Sequence, residues 1–210
     1  MSKDRLEAFS DGVLAVAITL LVLNVVVPST AGLAGHHESL AHALALKWPS
    51  YAAYVISFMT IGIIWINHHV MIGRLREVDH AILILNLVLL LTVVAIPFAT
   101  DLMATYLKQG GGDAELAAAV YGATFLVMSL AFTTLNRQIL FPKAHLMHQQ
   151  TTVTWRRATL RRASTGLIPY LVATALAPVT AYATLVICGA LAVFYALPLA
   201  SSAGTPNIGP

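Results

Sequence analysis

The chain has 210 residues, of which 58% are hydrophobic and only 10% charged, with a net charge of +3. A soluble domain carries about 25% charged residues, so this composition, with a mean hydropathy of +0.79, points to an integral membrane protein. The basic balance reads as loops on one face of such a protein, and no nucleic-acid partner is expected. The single cysteine, Cys188, has no partner within the chain, which excludes an internal disulfide framework.

Six membrane spans are predicted in chain order. The first is Leu6 to Val27, stopped by Pro28. Its 22 residues cross a bilayer as a helix at about 1.5 Å per residue. Lys3 and Arg5 followed by Val13 to Val27 resemble a signal peptide, but Glu7 and Asp11 lie between them and no small-residue cleavage site follows. The second span is Tyr51 to Val70, after Trp48-Pro49, and the third is Ala81 to Thr100, with Pro97 near its end. The fourth is Leu116 to Leu135, the fifth Leu160 to Ala177, and the sixth Val179 to Leu199, with only Pro178 between the last two. The Arg137–Arg162 segment, with Trp155 among its arginines, predicts an interfacial or protruding helix. The expected architecture is an all-α integral membrane protein: one six-helix domain over residues 1–200 and a disordered tail over 201–210.

Lysine and arginine set the orientation. With the N-terminus inside, ten of the 12 fall on inside segments: Lys3, Arg5, Arg74, Arg76, Arg137, Lys143, Arg156, Arg157, Arg161 and Arg162. Lys47 and Lys108 fall outside. Both termini are therefore expected inside.

That orientation brings polar residues of three helices to one depth. Ser10 and Asp11 lie in the inner third of the first span, Asn67, His68 and His69 at the inner end of the second, and His80 and Asn86 near the start of the third. An unpaired charge deep in a membrane helix costs roughly 2.5–3.5 kcal/mol, so Asp11 needs a partner. Arg5 is six residues away, about 240° around the helix, so that partner is expected on another helix. Two readings stay open for the cluster: a hydrogen-bond network that locks the helices, and a protonatable gate or ion site. A metal site fits less well, because neighbours such as His68 and His69 point about 100° apart. His36, His37 and His42 in the outer loop read as solvated. No enzyme is expected, since no nucleophile motif accompanies these residues, and no cofactor or metal.

Val16, Thr19 and Leu23 recur at i, i+3 and i+7 on one stripe of the first helix, flanked by Ala15 and Leu20. Such a stripe is ordinarily a packing or lipid face, and a threonine can satisfy its own hydroxyl one turn back.

Arg5-x-x-x-Phe9-Ser10-Asp11-Gly12, followed by Ala15-x-Ala17-Ile18-Thr19-Leu20-Leu21-Val22-Leu23, resembles the first helix of the bacterial transmembrane protein 175 family. Ile64-Trp65-Ile66-Asn67-His68-His69 is similar to the family's second helix, and Leu85-Asn86 through Ile96-Pro97-Phe98-Ala99-Thr100 to its third. The resemblance implies a potassium-permeable channel in the bacterial cell (inner) membrane, assembled as a homotetramer in the lipid bilayer, with the permeant potassium ion its only bound species. It implies that the first helix lines the pore. The constriction would fall on Val16 and Leu23 and a hydroxyl ring on Thr19, giving a hydrophobic gate and modest monovalent selectivity. Arg5, Phe9, Ser10 and Asp11, with Asn67, His68 and Asn86, would form the network behind that helix. The chief rival is a proton-coupled cation transporter that uses Asp11 and His68 as a relay. A membrane protein without transport activity is a further alternative.

Overall fold

A computed structural model describes residues 2–28 and 39–197, and every regular element among them is helical. In chain order these are α1 (Lys3–Leu20), a 3-10 turn (Leu21–Asn24), α2 (Leu40–Leu46), α3 (Trp48–Gly73), α4 (His80–Val94), α5 (Ile96–Tyr106) and α6 (Gly111–Leu140). A 3-10 turn (Ala144–Leu146), α7 (Val153–Ala163), α8 (Leu167–Leu176) and α9 (Ala181–Ala196) follow. His36, His37 and the 201–210 tail lie outside the described residues.

Among the described residues four segments are long and apolar enough to cross a membrane: Lys3–Asn24, Trp48–Gly73, His80–Tyr106 and Gly111–Leu140. The expected fifth span is interrupted. Ser164, Thr165 and Gly166 separate the polar α7 from α8, which is only 10 residues long. The last helix, α9, is apolar and 16 residues long.

The element boundaries follow from local chemistry. Pro49 sits in the first turn of α3, where a missing N–H costs nothing. Asp79 caps α4 by accepting from the Ile82 N–H at 3.0 Å, and Thr152 caps α7 by accepting from the Trp155 N–H at 3.2 Å. Pro97 has no N–H to continue the α4 ladder, so the third span breaks at Ala95 and restarts as α5. Gly110 and Gly111, at φ 71° and 67°, make the tight turn into α6, a conformation side chains with a Cβ resist.

The 30-residue α6 runs through the centre of the bundle and packs on α4, α5, α7, α8 and α9. Tyr121 and Phe125 of this helix form an aromatic cluster with Tyr170 of α8: Phe125 meets Tyr121 edge-on at 4.7 Å and stacks on Tyr170 at 5.6 Å. Gly122 lets α8 approach closely: a Cβ there would lie 2.8 Å from the Thr174 hydroxyl oxygen. Buried hydroxyls join three helices at mid-depth, where Ser57 lies 2.7 Å from Thr100 and 3.0 Å from the Tyr121 hydroxyl. By contrast α1 lies at the edge, packed on α3, α4 and α5.

One end of the bundle is stapled. The Arg76 N–H donates to the Leu146 carbonyl at 2.8 Å, and the His148 N–H to the Arg74 carbonyl at 2.9 Å. Lys143 meets Asp79 at 2.6 Å, and the Arg74 guanidinium lies 5.1 Å from the centre of the Trp155 ring. The helix directions bring ten of the 12 lysines and arginines to this end. Lys47 and Lys108 sit at the other, where Lys108 donates to the Leu46 carbonyl.

The Lys143 ammonium and the Ile82 N–H hold the Asp79 carboxyl below its usual value of 3.8. Its contribution to stability is therefore complete above that value and is lost as pH falls through the lower native one. Asp79→Asn keeps a capping oxygen and loses only the ion pair. It should cost about 0.2–1 kcal/mol, whereas Asp79→Ala should cost about 1–2 kcal/mol by losing the cap as well. Unfolding in detergent at neutral pH measures both, and the Asn variant's deficit should vanish well below pH 3.8.

Candidate functional site

The edge helix α1 has two unlike faces. Leu6, Ser10, Leu14, Ala17 and Leu21 recur every three or four residues and are buried against α3, α4 and α5. Arg5, Phe9, Gly12, Val16, Thr19 and Leu23 recur at the same spacing on the opposite side and are exposed. Val16 is 57% and Leu23 70% accessible, so neither serves the packing of the single chain. Thr19 donates its hydroxyl proton to the Val16 carbonyl at 2.9 Å, and its oxygen lone pairs stay on the outer face.

Leu23 does not continue the α-helix. It belongs to the 3-10 turn, where three residues complete a turn. This brings Leu23 into line with Leu20, which is also exposed, rather than directly above Val16. The turn is pinned by Asn24, whose amide donates to the Pro97 carbonyl at 2.8 Å, at the break in the third span.

Behind α1 lies a chain of three fully buried side chains. The Asn86 amide donates to the Ser10 oxygen at 2.9 Å, and Ser10 passes its own proton to the Leu6 carbonyl at 2.9 Å. The Asn86 carbonyl oxygen is then free to accept from His68 Nε2 at 2.7 Å. This arrangement makes His68 the Nε2–H tautomer. Its Nδ1 is buried with no hydrogen-bond partner. The chain thus ties α1 to α4 and α4 to α3.

Two further contacts join α1 to α3. Trp65 Nε1 donates to the Asp11 carboxylate at 2.9 Å, and His69 Nδ1 meets the Glu7 carboxylate at 2.7 Å. Both pairs are four residues apart on both helices, as antiparallel neighbours must be. Asp11 therefore takes an indole from another helix, and is not bonded to the His68–Asn86 chain.

Among the residues expected in the network, Ser10, His68 and Asn86 come together and Asp11 sits beside them. Asn67 does not join: it points outward and donates to the Ile63 carbonyl of its own helix at 2.8 Å. Arg5 and Phe9 are exposed and border, with Leu6, Leu83 and Leu87, a groove between α1 and α4. Sequence reasoning missed Trp65 and Glu7 as partners, although the matched i, i+4 spacing of 7/11 and 65/69 was there to find them. The Ser57–Thr100–Tyr121 cluster was also missed, since lone hydroxyl residues in separate spans carry no spacing signal. Among the described residues no group of three or more histidine, cysteine or acidic side chains could hold a metal.

Asn86 rather than Asp11 should be the costlier residue to remove. Asn86→Ala strands the His68 donor and the Ser10 acceptor in a dry interface, at about 1–3 kcal/mol each. Asp11→Asn leaves an acceptor for Trp65 and should cost less than about 1 kcal/mol. Thermal unfolding in detergent measures both, and equal losses would contradict the bonding described.

Relatives share this frame. Residues 5–97 match the family model described as endosomal/lysosomal potassium channel TMEM175. A protein from Streptomyces collinus named potassium channel is 44% identical over 191 residues, spanning 91% of this chain and 90% of that one. The human endosomal/lysosomal proton channel TMEM175 is 34% identical over 119 residues, which cover 55% of this chain and 24% of the human protein. The crystal structure of a lysosomal potassium-selective channel TMEM175 homolog from Chamaesiphon minutus superposes with a TM-score of 0.81 at 33% identity, over 97% of this chain and 98% of that one. Identity at this level along nearly the whole of both bacterial chains, on one helical frame, makes the conclusion direct: this multi-pass membrane protein belongs to the TMEM175 family.

Proposed function

We propose that this chain is a potassium-permeable cation channel of the bacterial inner membrane, a homotetramer of six-span subunits with both termini in the cytoplasm. In this reading α1 of each copy lines a central pore. Val16, together with Leu23 in register with Leu20, forms the apolar constriction, and Thr19 supplies a ring of hydroxyl oxygens. The carrying observation is the split character of α1. One face is locked into the bundle, and the other offers apolar Val16 and Leu23 around a hydroxyl, with nothing among the described residues to cover them. The naming of bacterial relatives as potassium channels supports the permeant ion.

The physics of conduction follows from that face. Four copies of Val16 and of Leu23 would exclude water from a narrow tube and so act as a hydrophobic gate. Between them, Thr19 oxygens would partly replace the hydration shell of a monovalent cation. No carboxylate faces this stripe, so discrimination between monovalent cations should be modest. Asp11, Ser10 and Asn86 would act from behind, by fixing the rotation of the helix that carries the constriction.

Proton movement is the second reading, favoured by the name of the human relative and by the bare Nδ1 of His68. A proton-coupled transporter would use Asp11 and His68 as its relay. Asp11 is taken up by Trp65 and shares no hydrogen bond with His68, which argues against that pair as one.

Val16→Asn or Leu23→Asn should raise single-channel conductance several-fold, because a polar ring admits water where four apolar side chains exclude it. Thr19→Val should lower current or weaken discrimination between potassium and sodium, since it removes four oxygens and keeps the shape. Planar-bilayer recordings of the purified protein decide this, and three variants that conduct like the parent would remove α1 from the pore. Tags at either terminus should be protected from an impermeant label in intact cells. Labelling of one terminus alone would contradict the six-span count, and labelling of both would contradict its direction.

A further inference from the structure

We propose that the outward face of α7 is a binding surface for the phosphate headgroups of anionic phospholipids. The proposal rests on the chain spanning a membrane and is independent of what, if anything, it conducts. The helix carries Arg156, Arg157, Arg161 and Arg162 within 11 residues. No aspartate or glutamate occurs in the sequence after Glu115, so α7 has no acidic neighbour on its own segment. Other segments supply none either. At the same end of the bundle Glu7 meets His69, Asp11 accepts from Trp65, Glu77 meets Arg76, Asp79 meets Lys143, and Asp4 borders a pocket beside Arg76 and His148. Among the described residues no carboxylate lies within ion-pair distance of any α7 arginine, and Arg156 has only the Thr151 hydroxyl, at 2.9 Å.

The face is coherent. Trp155, Leu160 and Ala163 turn inward and pack against the core, and Thr133 of α6 donates to the Ala163 carbonyl at 3.2 Å. Arg157 and Arg161, one turn apart, are exposed on the opposite side, with Arg162 beside them. Like charges at this spacing repel. The partial negative charge at the helix C-terminus offsets this for Arg161 and Arg162 but not for Arg157, which lies mid-helix. An anion held between Arg157 and Arg161 removes the repulsion, and the planar guanidinium matches two phosphate oxygens at once.

Depth selects the source of the phosphate. Leu167, the first residue of the apolar α8, follows Arg161 by six residues through turns closed by i→i−3 hydrogen bonds, a path of no more than about 12 Å. Ile168 and Leu171 beside it are exposed on the lipid-ready side of α8. The headgroup layer is roughly 5–8 Å deep on each side of the hydrocarbon. Arginine side chains long enough to bridge the remainder therefore reach lipid phosphate while α8 stays in the acyl region.

Native mass spectrometry of the full chain in neutral detergent tests this, with phosphatidylglycerol and phosphatidylcholine titrated in parallel. Phosphatidylglycerol should be retained over phosphatidylcholine. R157Q/R161Q should weaken its retention on the order of thirtyfold, and R157K/R161K only a few-fold. The charge-matched control at the far end, K47Q/K108Q, should leave it unchanged. Thermal unfolding monitors the fold, and if the glutamine pair does not fold, R157Q alone should still weaken retention about fivefold. Equal retention of both lipids overturns the proposal, as does an equal loss in K47Q/K108Q. Tight binding of soluble polyphosphate without retention of phosphatidylglycerol overturns it in favour of a soluble anion.

Discussion

The rotation of α1 about its own axis is set by one buried hydrogen-bond chain, from Ser10 through Asn86 to His68. Everything distinctive about the protein depends on it. α1 sits at the bundle edge and is apolar on both faces, so burial alone discriminates weakly between rotations. A donor–acceptor chain in a dry interface discriminates strongly, because turning the helix away would take Ser10 from the Asn86 amide and leave that buried donor without a partner. The Glu7–His69 and Asp11–Trp65 contacts add two further points along the same helix pair. Together they fix which residues of α1 face out.

A second constraint acts at the far end of the same helix. Pro97 breaks the third span, and the carbonyl exposed there takes the Asn24 amide. The 3-10 turn of α1 ends at that point, and its tighter winding moves Leu23 over Leu20. A proline in one span thus determines the register of apolar side chains in another. The helix is held at both ends, with its outer face unpartnered in between. A rigid frame with an uncovered apolar and hydroxyl-bearing stripe is what a pore built from several copies requires.

The sequence carried much of this frame. Hydropathy located the four long spans, although the third, expected to end at Thr100, runs on to Tyr106 past the break at Pro97. Ser10, His68 and Asn86 could be placed at one depth because charge bias ordered the helices before any contact was known. Three features were not legible. The break at Ser164–Gly166 has no proline, and the apolar Leu160 and Ala163 before it read on into α8, so the fifth span appeared continuous. The 3-10 turn depends on a tertiary contact, Asn24 to Pro97, between residues 73 positions apart. Asp11 was expected to find its partner on another helix, but that partner could not be read as Trp65, because an indole in a membrane span reads as packing or an interfacial anchor before it reads as a donor.

The central claim is that the outer face of α1 meets water and ions in the assembled protein, and not lipid. Cysteine accessibility tests it most directly. In a Cys188→Ala background, Val16→Cys and Ala17→Cys place a thiol on the outer and inner faces one residue apart. Potassium flux through reconstituted protein is then followed as a charged, membrane-impermeant thiol reagent is added. The account predicts that Val16→Cys is modified and its flux blocked, while Ala17→Cys is untouched. An unreactive Val16→Cys in a folded and conducting protein would mean that this face looks into lipid or a subunit contact, and that the pore lies elsewhere.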